Sequence, residues 1–268
     1  MIRRTTTLLY GIFCYLVFLA SFLYAIAFIG NFGVLRTIDS GVEGSVATAL
    51  AINAGLLTLF ALQHSIMARS WFKRAWTRIV PPPAERSTYV LFSSVALILL
   101  FWQWRPIGGL VWEIDNELAR YAIYAVYAVG WVLLLVATFL INHFDLFGLR
   151  QVYLHFMGRP YTALPFRTPG MYRFMRHPIY FAWLCIFWAT PRMTVAHLVF
   201  ALATTGYILM AIPLEERDLS RVHGDVYRRY QKEVPKLVPV RFAKQYPEGA
   251  FSPLNSPAAS QAVEYRGN

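Results

Sequence analysis

Arg176-His177-Pro178-Ile179-Tyr180 opens an almost unbroken apolar run, and Leu214-Glu215-Glu216-Arg217-Asp218-Leu219 closes it. Downstream follow His223-Gly224-Asp225-Val226-Tyr227-Arg228-Arg229-Tyr230 and then Val234-Pro235-Lys236-Leu237-Val238-Pro239. The apolar run, 179–214, is roughly twice the ~20 residues that a helix needs to cross a bilayer. Thr190-Pro191-Arg192-Met193 interrupts it, and a proline beside a charge breaks a helix. The stretch therefore predicts a hairpin: a short arm, a turn, and a longer arm returning to the same side. Arg, His, Tyr and Glu at both mouths of such a hairpin are not needed to build a bundle. Polar groups are costly at membrane depth, so they point to a site assembled at a membrane surface.

The rest of the chain agrees with a membrane reading. Hydrophobic residues make up 57% of the 268, charged residues only 15%, and the mean hydropathy is +0.44. These values indicate a multi-span membrane protein. The net charge of +11 brings nucleic acid to mind. No basic recognition helix or binding module accompanies it, and basic residues in an apolar chain belong to cytoplasmic loops facing anionic lipid, so nucleic acid is excluded as a partner. Cys14 and Cys185 both lie within apolar runs, which argues against a disulfide, a zinc site or a catalytic thiol. No metal-ligand spacing is present.

Four further spans are expected at 8–29, 46–67, 89–104 and 121–141. The first mimics a signal peptide, with Arg3 and Arg4 ahead of it, but it is long enough to span and ends without a cleavage site, so a retained helix is expected. Arg69, Lys73, Arg74, Arg78 and Arg86 crowd the loop after the second span. Arg150, Arg159, Arg167, Arg173 and Arg176 follow the fourth, whereas Glu113, Asp115 and Glu117 lie between the third and fourth. The positive-inside rule then puts both termini and the whole region after the fourth span in the cytoplasm. The expected fold is all-α: an integral membrane helical bundle of four spans plus a C-terminal helical hairpin and a cytoplasmic catalytic cap. One domain is expected over 1–246, its catalytic part about 142–240, followed by a Ser, Pro, Ala and Gln-rich tail from Pro247 that reads as loosely ordered.

The ordered set RHPxY, apolar hairpin, EExxL and GxxYxxYxxxVPxxxP resembles the membrane methyltransferases of the isoprenylcysteine carboxyl methyltransferase and phospholipid N-methyltransferase kind. The resemblance covers the last third of the catalytic region. Asn142-His143-Phe144-Asp145-Leu146-Phe147-Gly148-Leu149-Arg150-Gln151 and Phe187-Trp188-Ala189-Thr190-Pro191-Arg192-Met193-Thr194 are closer still to the bacterial methanethiol S-methyltransferase family. What the resemblance implies is a multi-pass protein of the bacterial inner membrane. It would use S-adenosylmethionine to convert methanethiol to dimethyl sulfide, releasing S-adenosylhomocysteine. Its partners would be a small thiol and membrane lipids; oligomeric state is not implied. On this resemblance His177, Pro178 and Tyr180 line the cofactor pocket, with Glu215 or Glu216 facing its cationic part and Tyr207 reaching in from the returning arm. Arg176 pairs with Glu216 or with the cofactor carboxylate, since a bidentate guanidinium suits either. The interfacial alternative is basic side chains snorkelling at a helix start and glutamates solvated at a helix end.

A thiol loses its proton only near pH ~8.5 or above, and the thiolate is the nucleophile, so a base is expected. Asp145 and His64 are the first candidates, then His143 and Asn142, with interhelical hydrogen bonding as the structural alternative, and His155 is last, the alternative there being a solvated loop histidine near an Arg-rich stretch. Asp145, His64 and His143, with Arg176 and Glu216, make up the expected catalytic set. His197 and Asn53 are expected to pack and to make interhelical bonds. Three other readings stand beside this one. They are methylation of a prenyl-cysteine carboxylate or lipid amine through a lipid-open tunnel, an NADPH-dependent membrane reductase of related architecture, and a non-catalytic membrane protein keeping the same fold. No soluble GxGxxG nucleotide fold is present.

Overall fold

A computed structural model of the chain describes residues 1–42 and 44–238. The tail expected from Pro247, and the domain limit at 246, lie outside the described residues. Among the described residues five helices are long and apolar enough to cross a membrane. They are α1 (Ile2–Gly30), α2 (Val46–Met67), α4 (Glu85–Gln103, entered through a 3-10 turn at Pro82–Ala84), α5 (Glu117–Leu140) and α9 (Val195–Glu233). The shorter helices are α3 (Ser70–Trp76), α6 (His143–Leu146), α7 (Leu149–Phe156) and α8 (Pro178–Trp188). Large apolar side chains point outward along the long helices, as at Val126, Val129, Val132 and Phe139 of α5, each at least half exposed. A continuous apolar exterior of this kind is untenable in water and suits lipid. The chain is a multi-pass membrane protein.

Sequence explains where the helices start and stop. Ser45 and Asn116 cap α2 and α5 by accepting from the backbone of Thr48 and Ala119, and Thr194 caps α9 by accepting from His197. α1 stops at Asn31, which takes the left-handed conformation that suits asparagine at a helix end. The hairpin forms as its broken apolar run requires: α8 is the short arm and α9 the long one. α8 has 11 residues, about 16 Å of rise against a hydrocarbon core of ~30 Å, so it crosses only part of that thickness. α9 continues as helix past Glu215 and Glu216 to a kink at Gly224, whose φ of 59° is open to glycine.

Loops gather at two ends. At one end Trp104 Nε1 donates to Ile38 O at 3.0 Å and Ile114 N to Pro191 O at 2.9 Å. There β1 (Leu110–Glu113) pairs antiparallel with β2 (Arg192–Thr194), a small sheet the sequence reading did not foresee. At the other end Arg69 meets Asp218 at 2.8 Å and Ser87 Oγ donates to Gly148 O at 3.2 Å. Gly148 has φ +87°, and a Cβ there would fall 2.6 Å from Ser87 N, so only glycine allows this approach of α7 to α4. The long arm thus returns to the end where the short arm began. Between the ends Phe28, Phe101, Trp104, Trp131, Ile186 and Phe200 form an aromatic-rich core. Asn53 and His197 pack as expected: Asn53 bonds both the N–H and C=O of Arg105, and His197 Nε2 lies 2.9 Å from Phe187 O.

Candidate active site

The mouth of the hairpin is built from three pieces of chain. His177 sits at the cap of α8 and Pro178 at its first helical position, where a missing N–H costs nothing. Ahead of the helix, Arg176 N and His177 N donate to Pro235 O and Lys236 O at 2.9 and 3.0 Å. The Val-Pro-Lys stretch is therefore a backbone brace for the Arg-His-Pro stretch, a role the sequence reading missed because backbone acceptors leave no mark in residue types. From α9, Glu216 reaches in. Its Oε1 accepts from Arg176 Nε at 2.7 Å and lies 3.1 Å from His177 Nε2, while its Oε2 accepts from Gln231 at 3.3 Å. Arg176 Nη1 also donates to Gln231 O at 2.6 Å and to Val234 O.

Arg176 and Glu216 are buried, with side chains 6% and 9% exposed. Removing one partner of such a pair leaves an uncompensated buried charge and costs about 3–5 kcal/mol. Of the two partners weighed for Arg176, the structure supplies Glu216. Neighbouring Glu215 is different: its side chain is 46% exposed and its Oε2 stands 3.7 Å from His177 Nδ1. Tyr180 stacks on His177 with ring centres 5.4 Å apart, and its hydroxyl is within hydrogen-bonding reach of the Glu215 carboxylate. An open carboxylate beside aromatic surface and phenol hydroxyls fits a ligand with an ammonium or sulfonium group and an aromatic base. The sealed Glu216 is the frame that aims it.

A second polar array adjoins the first. Tyr207 of α9 bonds Ser65 of α2 at 3.0 Å, and the residue before it, His64, lies 2.9 Å from the Tyr89 hydroxyl of α4. Ser93 Oγ donates to Tyr89 O, so at 3.3 Å it can accept from His64 Nδ1 and leave Nε2 as the nitrogen that accepts from Tyr89. The His64 ring stacks on Phe60, and Arg86 lies over the Tyr89 ring at 4.8 Å. Tyr89 was not among the expected residues. Its place is fixed by the contact with His64 of α2, which no local pattern encodes.

His143 and Asp145 are placed elsewhere, in the corner between α1, α5 and α7. Thr138 Oγ1 gives its proton to Leu135 O, so it accepts from His143 Nδ1 at 2.9 Å, and His143 Nε2 accepts from Tyr15 at 2.9 Å. Burial among Phe18, Phe139 and Phe147 lowers the His143 pKa and keeps the ring neutral. Asp145 pairs with Arg150 at 2.8 Å and accepts from Tyr161 at 3.3 Å, and Asn142 caps the backbone N–H of Asp145. Arg150 in turn holds Thr162, so Asp145 pins the connector, the segment that joins α7 to α8. His143 and Asp145 make no hydrogen bond to each other among the described residues. His155 lies on α7 beside Asp145, away from the hairpin mouth.

The fold and its hairpin mouth define a helical membrane protein with one sealed and one open carboxylate at a single site. Residues 83–234 match the family described as "Protein of unknown function (DUF1295)". The chain is 57% identical to a methanethiol S-methyltransferase of Crocosphaera subtropica over 89% of this chain and 93% of that one. It is 51% identical to a methanethiol S-methyltransferase of Mycobacterium tuberculosis over 88% and 97%. Nurim of Rattus norvegicus is more distant, 30% identical over 70% of this chain and 75% of that one. No solved structure matches. The chain belongs to the DUF1295 family and, within it, to the group of proteins named methanethiol S-methyltransferase.

Proposed function

We propose that this protein transfers a methyl group from S-adenosylmethionine to methanethiol, giving dimethyl sulfide, at the cytoplasmic face of a bacterial inner membrane. The observation that carries the reading is the near full-length identity to relatives bearing that name. The basic loops after α2 and α5 support the orientation, since they lie at the same end as the hairpin mouth.

S-adenosylmethionine, when bound, supplies a methyl group on an electrophilic sulfonium. Glu215 holds the amino group, His177 and Tyr180 bound the pocket, and Tyr207 closes it from α9. Arg176 and Glu216 keep these groups aimed, so that the reacting atoms meet in line at low entropic cost. Methanethiol lies against Tyr89. As the thiol yields its proton to the Tyr89 oxygen, Tyr89 passes its own to His64 Nε2, and the sulfur lone pair is freed for attack. Asp145 and His143 act outside the chemistry, Asp145 by fixing the connector and His143 by joining α1 to α5.

The test offers the purified protein S-adenosylmethionine with methanethiol, a prenyl-cysteine or a lipid amine, and measures S-adenosylhomocysteine. Turnover with methanethiol alone is expected. Turnover only with the prenyl or lipid acceptor would move the substrate, and a protein that ignores S-adenosylmethionine would end the reading.

A further inference from the structure

A cavity of about 640 Å³ opens at the same end of the bundle as the hairpin mouth, yet it shares no lining residue with the Arg176, His177 and Glu216 cluster. Lys73 of α3, Arg86 at the start of α4 and Arg159 after α7 supply its cations, and Glu85 and Asp145 its carboxylates. Asp145 is already neutralised by Arg150. Lys73, Arg86 and Arg159 form no salt bridge within 4.0 Å among the described residues. Burial first, and the neighbouring Arg86 charge second, push the Lys73 ammonium below its ordinary range, against the opposing pull of Glu85. Arg86 Nε donates to Leu146 O at 2.7 Å, but among the described residues no carboxylate lies within 4.0 Å of the three cations, so the pocket is complementary to an anion. Gln151 adds a second requirement, because its Oε1 is buried at this cavity without a hydrogen-bond donor. A ligand that satisfied both would carry negative oxygens and a hydroxyl.

We infer that this cavity binds a hydroxyl-bearing phosphate ester, with the phosphate on Lys73, Arg86 and Arg159 and the hydroxyl on Gln151 Oε1. The cavity lies between α3, the start of α4 and α7, at the end of the bundle where the basic loops gather, and near an anionic membrane surface each basic side chain adds about 1 kcal/mol to the binding of an anionic lipid. Two sources share this chemistry, a phosphatidylglycerol headgroup and a soluble phosphate ester.

Full-length protein is studied by native mass spectrometry with phosphatidylglycerol or phosphatidylcholine, and by calorimetry with glycerol 3-phosphate. Wild type is expected to hold phosphatidylglycerol over phosphatidylcholine, or glycerol 3-phosphate, and which of the two binds identifies the source. Lys73→Gln with Arg159→Gln should weaken that binding roughly 30-fold, and each single change about fivefold. Arg159 is exposed at the rim, so its replacement leaves the packing intact. Binding of neither ligand, equal binding by wild type and variants, or one-for-one displacement by S-adenosylmethionine would overturn the inference.

Discussion

At the level of single residues Tyr89 matters most to the proposed chemistry, because its hydroxyl lies 2.9 Å from His64. Tyr89→Phe keeps the ring under Arg86 and removes only the hydroxyl. Loss of a positioned proton-transfer group lowers the rate by about 10²–10⁴-fold, so methylation should fall by that order while S-adenosylmethionine binding persists. The loss should shrink as pH rises toward the thiol's own ionisation. A uniform loss at every pH would assign Tyr89 to packing. His143 makes a different prediction. Its folded-state pKa lies below the 6.5 of a free imidazole, so the unfolded chain takes up a proton first as pH falls. Stability should therefore be full above pH ~6.5 and decline below it. His143→Phe should flatten that decline in thermal melts between pH ~5 and ~7, and an unchanged profile would show that another group governs it.

At the scale of elements, the crossing of α5 and α8 sets where the mouth lies. Gly130 of α5 permits the approach: a Cβ there would meet Ile186 at 2.9 Å, and Ala182 O and Cys185 at 3.3 Å. Small residues at helix crossings do this generally in membranes. Gly130→Val should destabilise the protein by about 1–3 kcal/mol and displace Tyr180, lowering activity with it. Wild-type melting and turnover would refute this.

The same scale shows what was legible in the chain. α2 was readable at its observed limits, since Ser45 marks its start and its apolar run is clean. α4 begins at Glu85, earlier than the expected 89, because Glu85 and Arg86 sit in its polar first turn where hydropathy stops registering helix. α1 likewise extends back to Ile2 through Arg3 and Arg4. The hairpin was legible from Pro191. The sheet that clasps its turn was not, since four residues of β1 find their partner across the fold. Gathering Arg176, His177, Glu215 and Glu216 followed from the hairpin alone. Separating His143 and Asp145 from them did not, because their partners Tyr15, Arg150 and Tyr161 come from α1, α7 and the connector.

For the whole molecule, methylation at the cytoplasmic face requires one sidedness. Trp71 of α3 and Glu113 of β1 are both exposed, at opposite ends. In spheroplasts a membrane-impermeant maleimide should label Glu113→Cys directly and Trp71→Cys only after lysis. The reverse pattern would put the site outside, away from the cytoplasm.

The central claim is that a methyl group passes from S-adenosylmethionine to methanethiol on this chain. Purified protein given S-adenosylmethionine with a trideuterated methyl group, and unlabelled methanethiol, tests it by gas chromatography and mass spectrometry of the headspace. Dimethyl sulfide carrying one trideuterated methyl is expected, in step with S-adenosylhomocysteine. Unlabelled dimethyl sulfide, or none while the protein remains folded, would contradict it.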